Sequence, residues 1–172
     1  MEMLECVHNV TSCIDKLIHE PKRYKLVLVV GSDDGQRDAV IRELLRQHVY
    51  PVLDTGLSLS HELAAIPEAR RPLKASSVFK SLIAPNAATS AVVVVDNIGI
   101  LFDQSLQLDP LGLLEDVSRS TVLVVSWPGT ITWNENGTVH ALSHAVPEHD
   151  EYRIYPHVDT AAIVDIEGEG AK

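Results

Sequence analysis

The apolar positions fall into two kinds of pattern that alternate along the chain. Leu4, Val7, Val10, Ile14, Leu17 and Ile18 recur at helical spacing and predict an amphipathic helix over the first 20 residues, closed by Pro21. The run from Tyr24 to Val30 is rich in β-branched residues and ends at Gly31, which predicts a strand. A polar turn follows, Gly31-Ser32-Asp33-Asp34-Gly35, and then a helix carrying Val40, Ile41, Leu44 and Leu45. Val52-Leu53-Asp54 predicts a short strand, placed at an edge or a strand start by Pro51. From Leu57 to Leu73 no period is legible, and Pro67 and Pro72 read as helix breakers.

Ala75 to Ala84 predicts a helix with Val78, Phe79, Leu82 and Ile83 on its inner face. Two further strands follow, Ala91 to Asp96 and Thr121 to Ser126, with a helix from Pro110 to Ser118 between them, capped by Asp109. The strong strands are continuous apolar runs without alternation, as a sheet covered on both faces requires, and crossover helices make such strands parallel. Residues 24–127 therefore predict a parallel α/β core. Residues 130–166 change character, with a β-hairpin turning at Asn136-Gly137, a last strand from Ala161 to Ile166, and a frayed tail from Glu167 to Lys172. The whole reads as one domain.

Length and composition agree with this picture, since 172 residues at 45% apolar content suffice for one packed core. The net charge of −10 argues against a non-specific grip on DNA phosphates. Cys6 and Cys13, seven residues apart on a helix, are separated by roughly 10 Å along its axis and read as unpaired core fillers. An acidic N-terminus without a basic region, and apolar runs too short to span a bilayer, predict a cytoplasmic protein with no membrane segment.

The candidate chemistry lies where the strong strands end, at Gly31, Asp96 and Ser126, because ligands of open α/β sheets bind at the carboxyl ends of strands. A working phosphate loop reads G-x-x-x-x-G-K-[ST]. Counted from Gly31, Gln36 stands for the second glycine, Arg37 for the lysine and Asp38 for the hydroxyl residue. Arg37 keeps the charge but not the shape of lysine, and Asp33 and Asp34 put further negative charge into the turn. The candidate nucleotide-binding residues are Gly31, Ser32, Gly35, Gln36, Arg37, Asp38, Asp96, Asn97 and Ser126. ATP with Mg²⁺ is the ligand they would take, with Asp38 and Asp96 as the metal ligands. Asn97 stands where a water-polarising carboxylate would be needed, and an amide cannot act as a general base. Weak or absent hydrolysis is the expectation. A phospho-acceptor receiver domain fits less well, because no lysine occurs between Lys80 and Lys172. His140, His144 and His149 read as surface histidines of the hairpin rather than a metal site.

Several phrases resemble the BrxF family, the small P-loop proteins of type 3 BREX phage-defence systems. They are Lys25 to Gly31, Val92 to Ile98 with Leu101-Phe102-Asp103, Asp109-Pro110-Leu111, Leu114, Ser118-Arg119, Val124 to Gly129, and Glu151 to Pro156. The resemblance implies a P-loop NTPase-like sheet with helices on both faces and nucleotide contact through Gly31 to Asp38 and Asp96. It also implies an accessory subunit working beside a large AAA+ ATPase, a DNA methyltransferase and a phosphatase-like protein. Gln36-Arg37-Asp38 departs from the family's G-K-[ST]. The chain lacks the helical lid by which AAA+ proteins assemble, so the N-terminal helix and the hairpin are expected to supply contact surface or to cover the sheet. Self-association and docking to a larger subunit are both open uses, with Trp127 and Trp133 as the anchors. An active ATP-dependent regulator and an unrelated doubly wound small-ligand module are the alternatives.

Overall fold

The computed structural model describes residues 2–168. Helix α1 (Met3–His19) turns Cys6, Val7, Val10, Ile14 and Leu17 inward. Strand β1 (Leu26–Gly31) is buried along its whole length and feeds α2 (Asp34–Gln47). The chain continues through β2 (Val52–Asp54), α3 (Thr55–Ala64), α4 (Arg71–Thr89), β3 (Val92–Asp96), α5 (Pro110–Val117) and β4 (Val122–Pro128). Three small strands, β5 (Ile131–Trp133), β6 (Val139–His144) and β7 (Arg153–Pro156), precede β8 (Ala161–Asp165). Helices α2, α3 and α5 begin with the same device. The carboxylates of Asp33, Asp54 and Asp109 accept from the backbone N–H of Gln36, Leu57 and Gly112, satisfying donors that a helix start leaves free.

The main sheet has the order β2-β3-β4-β1-β8, and every pair in it is parallel. The strands ending at Gly31, Asp96 and Ser126 are thus adjacent and central, and β2 lies at an edge, as their apolar patterns predicted. Alternate residues serve two separate cores. Leu26, Leu28, Val30, Val93, Val95, Leu123 and Val125 pack under α3, α4 and α5. Val27, Val29, Val92, Val94, Val122 and Val124 pack under α1 and α2. A fully buried aliphatic side chain stabilises by about 1.5–3 kcal/mol. The core therefore fixes where the strand ends lie, and polar contacts at those ends refine positions already set. Val7, Val10, Ile14 and Leu17 of the α1 stripe are used on this second face, which makes the helix a cover for the sheet, while Leu4 and Ile18 stay exposed. Both cysteines are free, and among the described residues no helix is long and apolar enough to cross a membrane.

Four local expectations are corrected. Pro72 does not break a helix but opens one: it sits in the first turn of α4, where its missing N–H has no helical partner to lose. That helix also carries Pro85 and runs on to Thr89. The strand predicted to end at Ser126 runs on through Trp127 and Pro128. They continue β4 beside Val30 and Gly31 of β1. The pairing of β3 with β4 ends at Val125, so on that side no strand partner is left for Pro128 to fail. The tail was expected to fray from Glu167, yet Glu167 is docked, its N–H donating to Asp165 Oδ1 at 3.1 Å. The expectation for residues 169–172 lies outside the described residues.

The fourth correction concerns the hairpin, which gains β7 to become a three-stranded antiparallel sheet, β5-β6-β7. It closes over the first core through Val139 and Leu142. At the junction Trp127 is fully buried, its Nε1–H donating to the Ser143 carbonyl at 2.9 Å, and it meets Phe102 edge-on. Trp127 is a core residue and offers no surface to a partner, whereas Trp133 remains 41% exposed. His144 is likewise not on the surface. It is 2% exposed, with its ring stacked on Phe102 at 3.3 Å between centroids. His144 Nδ1 donates to the Glu151 carbonyl at 3.1 Å, while Nε2 is buried without a partner.

Burial pushes the His144 pKa down to about 4, with the cationic Arg153 and Arg37 acting in the same direction and the Glu151 carbonyl opposing them. The folded protein keeps this imidazole neutral between pH 4 and 6.5, where the unfolded chain protonates it, so stability falls as pH falls through that window. Chemical denaturation of the wild type should show about 2 kcal/mol less stability at pH 5 than at pH 7 from this group. His144→Gln should remove that part of the pH dependence. An unchanged slope in the variant would show that His144 stays neutral in neither state or charges equally in both.

Candidate functional site

The connection from β1 to β2 crosses to one side of the sheet and the connection from β4 to β8 to the other, so the strand ends between β1 and β4 border an open crevice. A cleft of about 590 Å³ occupies this place, lined among others by Ser32, Arg37, Asp38, Asp96, Asn97 and Ser126. These six candidates are brought together, whereas Gly31, expected to converge with Asp96 and Ser126, does not line the cleft. Gln36 is not among them; its side chain faces a second hollow, of about 580 Å³, on the α1 side of the loop, together with Met3, Cys6, Ser32 and Asp33. Gly31 lies beneath the loop, and a Cβ there would fall 2.6 Å from Ile166 Cγ1, so close approach by the end of the chain requires a glycine. Gly35 is in the first turn of α2.

Arg37, at the position of the phosphate-loop lysine, does not project into the cleft as a free cation. It is 6% exposed. Its Nε donates to Ser126 Oγ at 3.1 Å, Nη1 to the Gly31 carbonyl at 2.5 Å, and Nη2 to the Asp34 carboxylate. The guanidinium fork thus ties the end of β1 to the end of β4 and to the first turn of α2, a geometry that a lysine could not reproduce. Ser126, 3% exposed, is taken up by the same contact.

Asn97 is also engaged. Its backbone is left-handed, with φ 52°, a conformation that asparagine tolerates better than most residues. Its N–H donates to Asp96 Oδ1 and its Nδ2 to Asp54 Oδ1, each at 2.9 Å. Its carbonyl accepts from the Gly56 N–H, also at 2.9 Å. The amide is committed to the β2–α3 corner, so Asn97 holds the chain turn after Asp96.

Sequence reasoning missed the residue that sits in the loop itself. Glu167 Oε1 accepts from the Ser32 N–H at 2.7 Å, from Ser32 Oγ at 2.7 Å and from the Asp33 N–H at 3.0 Å. Successive backbone N–H groups of this kind form an anion-binding concavity, and here a carboxylate fills it. No local signal could have found this, because the partners lie at opposite ends of the chain.

These contacts decide how well Mg²⁺ and ATP fit. The cleft walls carry the carboxylates of Asp34, Asp38, Asp96 and Glu151 against one guanidinium that is already paired. A triphosphate would meet repulsion there and would find the loop amides engaged. Among the described residues, no three His, Cys, Asp or Glu side chains converge to hold a metal ion. Arg37 and the Ser32 and Asp33 N–H groups, which a triphosphate would use, are thus engaged within the chain.

Truncating Arg37 strands the Ser126 hydroxyl and leaves the Gly31 carbonyl with the Gly129 N–H alone, so Arg37→Ala should cost about 1–3 kcal/mol in urea unfolding. Arg37→Lys should recover less than half of that. Asp34→Ala should cost under about 1 kcal/mol, since Asp34 is largely exposed and screened by solvent. If Arg37→Ala is neutral, the strand ends are held by the core alone.

No protein-family model, curated protein or solved structure matches this chain.

Proposed function

We propose that this chain is a P-loop-type module that serves as an accessory subunit of a bacterial anti-phage defence complex of the BREX kind. It works mainly through protein contacts, with weak or absent nucleotide hydrolysis. The observation that carries this reading is that the groups a nucleotide needs are bound by the chain itself: Arg37 by Gly31, Asp34 and Ser126, and the loop amides by Glu167. The P-loop assignment is supported by a parallel sheet in which a glycine turn leads from β1 into α2, with Asp96 and Ser126 at neighbouring strand ends. The place in phage defence rests on the resemblance of the phrases from Lys25 to Pro156. The partners are then other subunits of the complex, including a large AAA+ ATPase, in the cytoplasm.

Contact with partners falls to residues that the fold leaves exposed, of which Trp133 on β5 is the largest. A rigid aromatic at an interface buries much area for little entropy lost. A second reading, an active ATP-dependent regulator, has one observation in its favour: Asp38 and Asp96 line the same cleft. It would need the loop to be vacated first.

Isothermal titration of the purified chain with ATP and Mg²⁺ should give no resolvable binding, and turnover should stay at background. Hydrolysis well above background and abolished by Asp96→Ala would replace this reading with the second one. Trp133→Ala should weaken co-purification with the AAA+ subunit while leaving Tm nearly unchanged. A large drop in Tm would instead assign Trp133 to the folding of the small sheet and remove it from the interface.

A further inference from the structure

The loop after β1 already holds an oxyanion, and that anion belongs to the same chain. Three donors, two backbone N–H groups and one hydroxyl, converge on a single oxygen of Glu167. The Asp33 carboxylate is turned to the Gln36 N–H and the Asp34 carboxylate to Arg37, so neither competes with Glu167 for these donors. The carboxylate is delivered by β8. Asp165 pairs with Val30 of β1, and the Ile166 N–H extends the ladder by donating to the Val30 carbonyl at 3.0 Å. The Ile166 side chain then lies over Gly31. Asp165 Oδ1 accepts from the N–H of Glu167 and of Gly168, each at 3.1 Å, which bends the chain and aims the Glu167 side chain back at the loop. Glu167 itself is exposed, so the contact can open without disturbing the core. Beside it lies the hollow lined by Met3, Cys6, Asp33 and Gln36, with room for the rest of a ligand whose anionic group took the carboxylate's place.

We propose that Glu167 is a built-in competitor for the Ser32 and Asp33 amides, and that the loop accepts an external phosphate group when the Glu167 side chain turns away from it. The seat is latent rather than lost, and its occupancy is set by the docking of the Glu167 carboxylate. This rests on the P-loop-type reading of the loop given above, and it adds the means by which the loop is held shut.

The test titrates inorganic phosphate, and separately ATP with Mg²⁺, into ¹⁵N-labelled wild type, Glu167→Ala and Glu135→Ala, following amide shifts. Glu135 is an exposed carboxylate of the small-sheet turn and controls for the loss of one negative charge. Glu167→Ala is expected to bind phosphate about tenfold tighter than wild type or better, with the Ser32 and Asp33 amides shifting most. Glu135→Ala should behave as wild type. Glu167→Gln, which keeps the shape and a neutral acceptor, should gain by a smaller factor and serves as the second variant if alanine lowers Tm. The proposal is overturned if both Glu167 variants are folded yet bind no tighter than wild type, or if the shifts fall away from Ser32 and Asp33. That outcome would leave the reading of a closed accessory module standing. If wild type and Glu167→Ala bind ATP equally well at these amides, Glu167 is no competitor and the closed-module reading fails as well. A gain for inorganic phosphate but not for ATP would assign the seat to a small phosphate group and keep the competition intact.

Discussion

Hydrophobic burial on both sides of β1, β3 and β4 governs the rest of the molecule. A strand whose residues all point into one core or another has no wall left for polar chemistry, and its connections must cross the faces as helices. Parallel pairing then sends the carboxyl ends of these strands to the same edge. The polar groups that end the strands, Gly31, Asp96 and Ser126, meet because the valines behind them are packed. Arg37 acts on top of that arrangement. It joins two strand ends already within reach, and by doing so it ceases to be a free charge facing the cleft.

The same logic explains what the sequence disclosed and what it concealed. Unbroken runs such as Val92 to Val95 point to strands covered on both faces, and the central place of these strands followed from that. Pro72 misled because proline is read as a breaker, although the first turn of a helix has no bond for it to break. Trp127 misled in the opposite way. It follows directly on the buried run from Val122 to Ser126, and that continuity was a usable signal of burial which its size as an interface aromatic overrode. For His144 the usable signal was its place two residues beyond Leu142, on the same side of β6.

The site residues divide similarly. Convergence of strand ends is a property of topology, and topology was legible. The engagement of Asn97 by Asp54, and of Ser32 and Asp33 by Glu167, joins residues with no periodic relation to each other. Such pairs are created by the tertiary fold, and a pattern along the chain carries no trace of them. The turn between β1 and α2 was therefore legible, while the group that occupies it went unseen.

Strand β1 carries one more implication, for synthesis. It is made before both of its neighbours in the sheet, β4 and β8, and β8 is the last strand of the described chain. During translation β1 must wait with one edge open through most of the polypeptide, and with both edges open until β4 emerges. Its backbone is apolar-flanked and unpaired during that interval, which is the condition for mispairing and aggregation. Helix α1 precedes β1 in the chain and covers one face of it in the finished fold, so it is an element able to shelter that strand while its edges wait.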